Sequence, residues 1–560
     1  MFTTNVWRRF GAIIAFAGAA LLATTTLSAC GGSSGGSSTA SVGGATTGES
    51  SPASAGSSSA PASLNLVVPV QADALDTTKA SVGALGVVLL GLEPLVRYNG
   101  STHKFTPDLA TTFKQVDPLT YTFKLRSGVK FWDGSPLTVG DVLFSLDLHR
   151  GPETQSLIAD QWAGVKDITA KGDTITIKLT EANPEFLYSV ADTGIVSKKY
   201  YEAHETNIGS PGVLNMGTGP YEFKSFIPST ETVLDRNESY WGEEAPIAEL
   251  DVRTISDDST RLLALSSGEE DGIVGIPLSQ LDSFEQISGL NVSGVPDDSV
   301  YKFNFDLSKA PWSDIHVRRA FSEIVDRSVI AEGIFKGAAT PATTIVPPSV
   351  MEALLPKEQV EAGYTQIEQM TPGYDLAAAE KEMAASTVPG GFKTTLLVTG
   401  SDPNLSLIGQ TVAQEAKKIG IEVQIKQVDD NTYYNAVYFK HTTEGLSLEN
   451  FGATNPDPWN VIAGALSSAN ALPSGSGVNI AQYKNAQFDA LLAESQQLET
   501  TDPERGELAI EALKLAAKSV PYAAVVYPDL SLGLNSGLQW GSFNPFWWMS
   551  AWPYEVTNAG

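Results

Sequence analysis

Residues 121–142 read YTFKLRSGVKFWDGSPLTVGDV, and the order of residue types in that stretch dictates three consecutive pieces of structure. From 121 to 125 the side chains alternate between large apolar and polar, the period of a strand with one buried face. Trp132-Asp133-Gly134 follows as a turn, and Gly128 and Gly134 suit the positive φ that turns demand. Thr138-Val139-Gly140-Asp141 has the spacing of a capping box, in which a hydroxyl and a carboxylate three residues on each accept a backbone N–H. It opens a helix to about His149. Asp133 and Asp141 therefore read as backbone caps rather than ligand contacts.

Outward from this unit the chain keeps alternating between the two kinds of element. A strand is expected at 64–70, helical spacing from about 81 to 92, and further strands at 95–98 and 174–179. Gly217-Thr218-Gly219-Pro220 reads as a turn into a hairpin of strands 221–226 and 232–235, with Gly219 also suited to positive φ. Residues 258–268 form a capped amphipathic helix. Residues 392–398, 405–419 and 421–428 read as strand, helix and strand, a unit that closes right-handed with parallel strands. Helices near 487–498 and 503–519 precede a strand around 523–527. No fixed-period repeat is visible. Such alternation defines an α/β class, and about 500 residues exceed one core, so two or three lobes are expected.

The amino-terminal end is of another character. Cys30 is the single cysteine, so it has no intramolecular disulfide partner and makes a poor metal site. Arg8 and Arg9 stand without an acid in the first ten residues, 11–27 is uncharged and largely apolar, and Ser28 and Ala29 are small. Leu27-Ser28-Ala29-Cys30 resembles a bacterial lipobox, which implies a signal peptide at 1–29, cleavage before Cys30 and acylation of its sulfur and new amino terminus. A plain transmembrane anchor leaves the position of the cysteine unexplained. Residues 30–63 beyond the cysteine are almost wholly Gly, Ser, Ala, Thr and Pro, a flexible tether. No second apolar run approaches the length of a membrane span, so the remainder reads as exported and held by lipid on the outer face of the cell membrane.

Charge and chemistry narrow the function. Loss of Arg8 and Arg9 with the signal takes the net charge from −28 to −30, which repels nucleic acid and anionic headgroups. His103, His149, His204, His316 and His441 lie far apart, and no phosphate loop or Gly-x-Gly-x-x-Gly follows a strand. Asp257-Asp258 and Asp297-Asp298 read as caps and solvated pairs. No metal or cofactor is expected, and nothing argues for an enzyme.

Five segments carry a resemblance. Besides 121–142 they are Gly217-Thr-Gly-Pro-Tyr-Glu-Phe with 234–242 (LDRNESYWG), 261–271 (RLLALSSGEED), 317–327 (VRRAFSEIVDR) and 483–489 (YKNAQFD). Together they resemble the family 5 extracellular solute-binding proteins, the dipeptide, oligopeptide and nickel receptors of ATP-binding-cassette importers, over nearly all of 64–560. The resemblance implies a two-lobed periplasmic-binding-protein fold, type II and class C-like, with an inserted third subdomain. Lobe I would combine 64–98, 196–300 and 526–560, the insert would be 99–195, and lobe II 301–525. Arg318 and Asp326, two helical turns apart, read as a local salt-bridge network. Solute would bind between the lobes, and closure would be a population shift toward the state that binds it better. The implied partners are a peptide or peptide-sized solute and membrane permease subunits, with a monomeric receptor. An oligosaccharide or other non-peptide receptor, or a surface interaction protein that lost its ligand, are the alternatives.

Candidate ligand contacts follow from position. Trp459 and Tyr433 flank the loop 451–458 (FGATNPDP), Tyr301 and Tyr527 fall near the implied lobe crossings, and Asn479 precedes the Tyr483 segment. Trp540, Trp547, Trp548 and Trp552 read as packing. In peptide receptors of the family a buried aspartate of that loop pairs with the peptide α-ammonium. Aligned on Pro458, the position here is Thr454, beside Asn455; a hydroxyl can accept a hydrogen bond but cannot neutralise a charge. Asp457 could take over, although acid before proline reads as structural. The expectation is that free-amine peptides bind poorly and that the solute is a modified peptide, a glycoside or another neutral or N-blocked molecule.

Overall fold

The computed structural model describes residues 60–152, 154–472 and 477–559. The lipobox, Cys30 and the tether through residue 59 lie outside the described residues.

The strand Tyr522–Asn535 organises the molecule. Its first half pairs antiparallel with Ser299–Phe305, Asn304 opposite Tyr522, and its second half with Leu290–Pro296, Pro296 opposite Asp529. One twelve-stranded sheet is thus crossed by the chain twice, through Asp297-Asp298 and through Pro528-Asp529. The Asp297 N–H donates to the Pro528 carbonyl at 3.0 Å and ties the crossings together. On one side lie Ser63–Val67, parallel to Glu249–Arg253, and the hairpin Tyr221–Ile227 and Glu231–Arg236. On the other, Leu446–Gly452 pairs with Ser299–Phe305, and Phe392–Thr399 runs parallel to Ile421–Val428 through the helix Pro403–Lys418. The parallel closure expected for that unit is present.

A separate four-stranded antiparallel sheet forms the insert, in the order Ala110–Asp117, Thr120–Leu125, Thr174–Leu179, Val165–Lys171. The helix Val139–Asp147 begins with the expected capping box between Thr138 and Asp141. The other Asp141 oxygen accepts the Lys198 N–H at 2.9 Å, and so fastens the insert to the helix Lys198–His204. Asp133 closes its turn by accepting from Ser135. Gly128 and Gly134 have φ of +83° and +82°.

Four readings change. Gly219 is not in the left-handed region; a β-carbon there would stand 2.2 Å from the Leu90 carbonyl oxygen, and one on Gly217 2.0 Å from that of Gly91. These glycines let two backbones touch. Arg318 makes no pair with Asp326: its guanidinium donates to the carbonyls of Trp312, Ser519 and Val520, while Asp326 caps the helix Arg327–Gly333. The strand expected at 523–527 extends to Asn535, because Pro528 sits at the crossing, where a missing N–H costs no ladder bond. The first strand stops at Val67, two residues before Pro69.

Separate apolar cores hold the lobes. Leu66, Val88, Leu250 and Trp552 belong to the first, which the carboxy-terminal tryptophans Trp540 and Trp547 complete as packing residues. Phe303, Trp312, Phe321 and Val412 belong to the second. A third runs from Tyr121, Trp162 and Ile177 of the insert to Trp459, Tyr364 and Leu513.

Candidate solute-binding cleft

The loop 451–458 leaves the strand Leu446–Gly452 and ends at the helix Pro458–Leu466. Asp457 is the N-cap of that helix: Oδ1 accepts the Trp459 N–H at 2.9 Å, and Oδ2 lies 2.6 Å from Nη1 of Arg505. Both side chains are fully buried, and Arg505 also donates to the Thr500 carbonyl and to Ser495. The indole N–H of Trp459 donates to the Arg505 carbonyl at 2.9 Å. Asp457 is therefore committed to its arginine and its helix, and the charge it carries is already neutralised.

The other candidates separate in the same way. The Tyr433 hydroxyl donates to the Leu448 carbonyl, Tyr301 to Asp402, and Tyr527 to the Thr344 carbonyl, and all three rings are buried. Asn479 is buried between Ser467 and Tyr483, which take both ends of its amide. Tyr433, Tyr301 and Asn479 are spent within the second lobe, Tyr527 is tied to Thr344, and of the set only Asn455 bonds across to the insert. Thr454 is exposed, with its N–H and hydroxyl on Oδ1 of Asn460. Asn455 donates to Oε2 of Glu185 at 3.0 Å, and Asn460 donates to the same oxygen at 3.1 Å.

Glu185 stands at the start of the helix Phe186–Ala191, in the insert, so this carboxylate joins insert and loop. Burial, then the nearby Asp457, pushes its pKa up to about 6. The Thr500 N–H on Gln115 at 3.2 Å is a second polar contact between the same two bodies. Beside it runs an open groove of about 650 Å³, with Phe105, Phe113 and Leu187 facing Leu354 and Leu355. These polar bridges and the groove accompany the apolar core that the insert shares with the second lobe.

Two clusters had no signal in composition or spacing. Lys302 is buried between Glu449, at 2.6 Å, and Asn304, at 2.5 Å, with its ammonium 4.5 Å from the Phe451 ring centre. Burial lowers its pKa, against the pull of Glu449. Lys302 and Glu449 are opposite one another in neighbouring strands, a pairing visible only once the register is known. On the first lobe, Glu93 accepts hydrogen bonds from Thr218 at 2.6 Å, Tyr240 at 2.5 Å and Trp241 at 2.9 Å. Burial, then Asp108, pushes its pKa up to about 8. The segments 217–223 and 234–242 thus meet on one carboxyl group, and Arg126 lies 4.5 Å over the Trp241 ring.

Among the described residues no group of His, Cys, Asp and Glu could hold a metal ion, and no helix is long and apolar enough to cross a membrane.

Two lobes around a doubly crossed sheet, with an insert packed on the second lobe, are the frame of a periplasmic-type solute-binding protein. The chain belongs to the bacterial extracellular solute-binding proteins, family 5, whose middle-region profile matches residues 104–472. That is a receptor family of ABC importers and not an enzyme family. The chain is 28% identical over 424 residues to the glutathione-binding protein GsiB of Salmonella typhimurium, covering 74% of this chain and 78% of that one. It is 26% identical over 485 residues to the nickel-binding protein NikA of Staphylococcus aureus, covering 85% and 91%. The solved structure of Helicobacter pylori DppA in complex with the peptide STSA shares the fold, with a TM-score of 0.69 and 24% identity over 89% of this chain and 98% of that one.

Proposed function

We propose that the protein captures a peptide or peptide-sized solute between its lobes and hands it to a membrane permease, as a monomer tethered by acylated Cys30 to the outer face of the cell membrane. The two strand crossings carry this reading. A body joined to its neighbour through 297–298 and 528–529 can rotate about those strands while each lobe keeps its own core. The crossings support lobe I as 64–98, 196–300 and 526–560, the insert as 99–195 and lobe II as 301–525, within a few residues. Likeness to glutathione-, nickel- and peptide-binding proteins supports a small polar solute of peptide size. Thr454 and Asn455 are the loop's contacts in this reading, and their lack of charge favours a solute whose group at the loop is neutral.

Native mass spectrometry of the protein purified without denaturant tests the proposal. The expected spectrum shows a one-to-one complex with a single small molecule that dissociates on collision. An oligosaccharide mass would shift the reading to the non-peptide alternative. A bare protein under every growth condition would favour an interaction protein that no longer binds solute.

A further inference from the structure

The open groove between the insert and the second lobe has walls of opposite charge. Lys104 and Lys114 stand on the insert side, and Glu352 and Glu499 on the side of the second lobe. Between them lies the apolar floor of Phe105, Phe113, Leu187, Leu354 and Leu355. Among the described residues none of the four charged side chains has an ion-pair or hydrogen-bond partner. Lys357 attracts Glu352 without pairing with it. Lysines and glutamates thus line one space, and the open groove holds them beyond ion-pair reach of each other. His103 is the remaining titratable group of the lining; burial lowers its pKa, and its ring is bonded to the Tyr98 hydroxyl, so it adds no charge at neutral pH.

The insert side of the groove is a strand edge. Ala110–Asp117 is the outermost strand of the four-stranded sheet and pairs with Thr120–Leu125 alone. Successive side chains of a strand point to opposite faces, so three consecutive residues share one space only where that space meets the edge. Phe113, Lys114 and Gln115 do so. Their backbones bond to nothing but the neighbouring strand, and an antiparallel ladder turns alternate N–H and C=O groups outward. An open edge of this kind is a template on which an extended chain adds as a further strand. The opposite wall is pinned to it by the Thr500 N–H, which donates to the Gln115 side chain at 3.2 Å.

We infer that this groove is a second binding site, for a free short peptide in extended form that carries both charges. The peptide adds to the edge of Ala110–Asp117 and sets apolar side chains on the floor. Its carboxylates face Lys104 and Lys114, and its ammonium groups face Glu352 and Glu499. A purely apolar molecule would leave both walls unused, and an anion or a cation alone would serve only one. The volume of about 650 Å³ lies within the roughly 300–1,000 Å³ usual for small-molecule sites. No residue of the loop 451–458 lines the groove, so the site is separate from the proposed interlobe seat and does not rest on it. Because its walls belong to different bodies, occupancy favours the arrangement in which insert and second lobe touch.

Calorimetry of the full mature protein with the tetrapeptide Lys-Leu-Phe-Glu, free at both ends, tests this. The expected result is a saturable site whose affinity falls with added salt, because its charges are exposed. The blocked counterpart acetyl-Gln-Leu-Phe-Gln-amide should bind about fivefold or more weakly, and without that salt dependence. Lys104→Gln with Lys114→Gln, and separately Glu352→Gln with Glu499→Gln, should each weaken the charged peptide about fivefold and leave the blocked one unchanged. Thermal unfolding of both pairs should match the wild type, since these side chains hold nothing else in the fold. Binding of the charged peptide that neither pair weakens would place it elsewhere, the interlobe cleft included, and overturn the groove while leaving the receptor reading intact. No binding at millimolar peptide also overturns it. Wall-dependent binding by a protein whose interlobe cleft proves empty would uphold the groove and count against solute capture between the lobes.

Discussion

Arg505→Met should lower the unfolding free energy of the second lobe by about 3–5 kcal/mol, the cost of stranding a buried carboxylate. Arg505 and Asp457 are 1% and 0% exposed and 2.6 Å apart, so neither can turn to water when the other is removed. The arginine also bonds Thr500 and Ser495, and its carbonyl receives the Trp459 indole, so the pair ties the helices Pro458–Leu466 and Pro503–Ser519 together. Asp457→Asn should cost a similar amount, because it leaves the guanidinium unpaired. The double variant should recover part of the loss, since the two changes share one interaction. Urea unfolding followed by tryptophan fluorescence reads these differences. A single variant within about 1 kcal/mol of the wild type would mean that the pair is solvated and open to ligand after all.

Cys30→Ser should abolish the membrane-bound mature form, either releasing the protein or leaving it unprocessed at the signal. One acyl chain gives marginal attachment and two or three give stable attachment, and in the proposed anchoring all of them would depend on this thiol or on the amino terminus freed beside it. Fractionation with mass measurement separates the possible results. The variant should be either soluble or a precursor that retains residues 1–29. A variant that stays membrane-bound at the mature mass would show that the lipobox reading is wrong.

The elements that set the frame are legible because their signals are local. Thr138 and Asp141 are three residues apart, and their capping box is a matter of spacing alone. The same holds for the alternation of Thr174–Leu179 and for the parallel unit around Pro403–Lys418. The strand Ser299–Phe305 was not legible: all seven of its residues are buried, so Lys302 and Asn304 sit where the pattern of a buried strand requires apolar side chains. Only the partner strand explains them, because Glu449 faces Lys302 across the register.

The candidate site shows the same division. Acid before proline marks Asp457 as structural, but its neutralising partner, Arg505, is 48 residues away and invisible to local spacing. Glu185 lies 270 residues from Asn455, so their bond is equally invisible to local spacing. Position singles out Trp459 and Tyr433 beside the loop and Tyr301 and Tyr527 near the lobe crossings, yet the polar atoms of all four are spent inside the fold.

The central claim is that the lobes close on a solute. Small-angle X-ray scattering tests it on protein stripped of solute by unfolding and refolding, with and without the low-mass fraction of a growth extract. The account predicts a smaller radius of gyration when a binding fraction is added, reversed by dialysis. Identical scattering with every fraction, alongside native mass spectra free of any bound molecule, would contradict it.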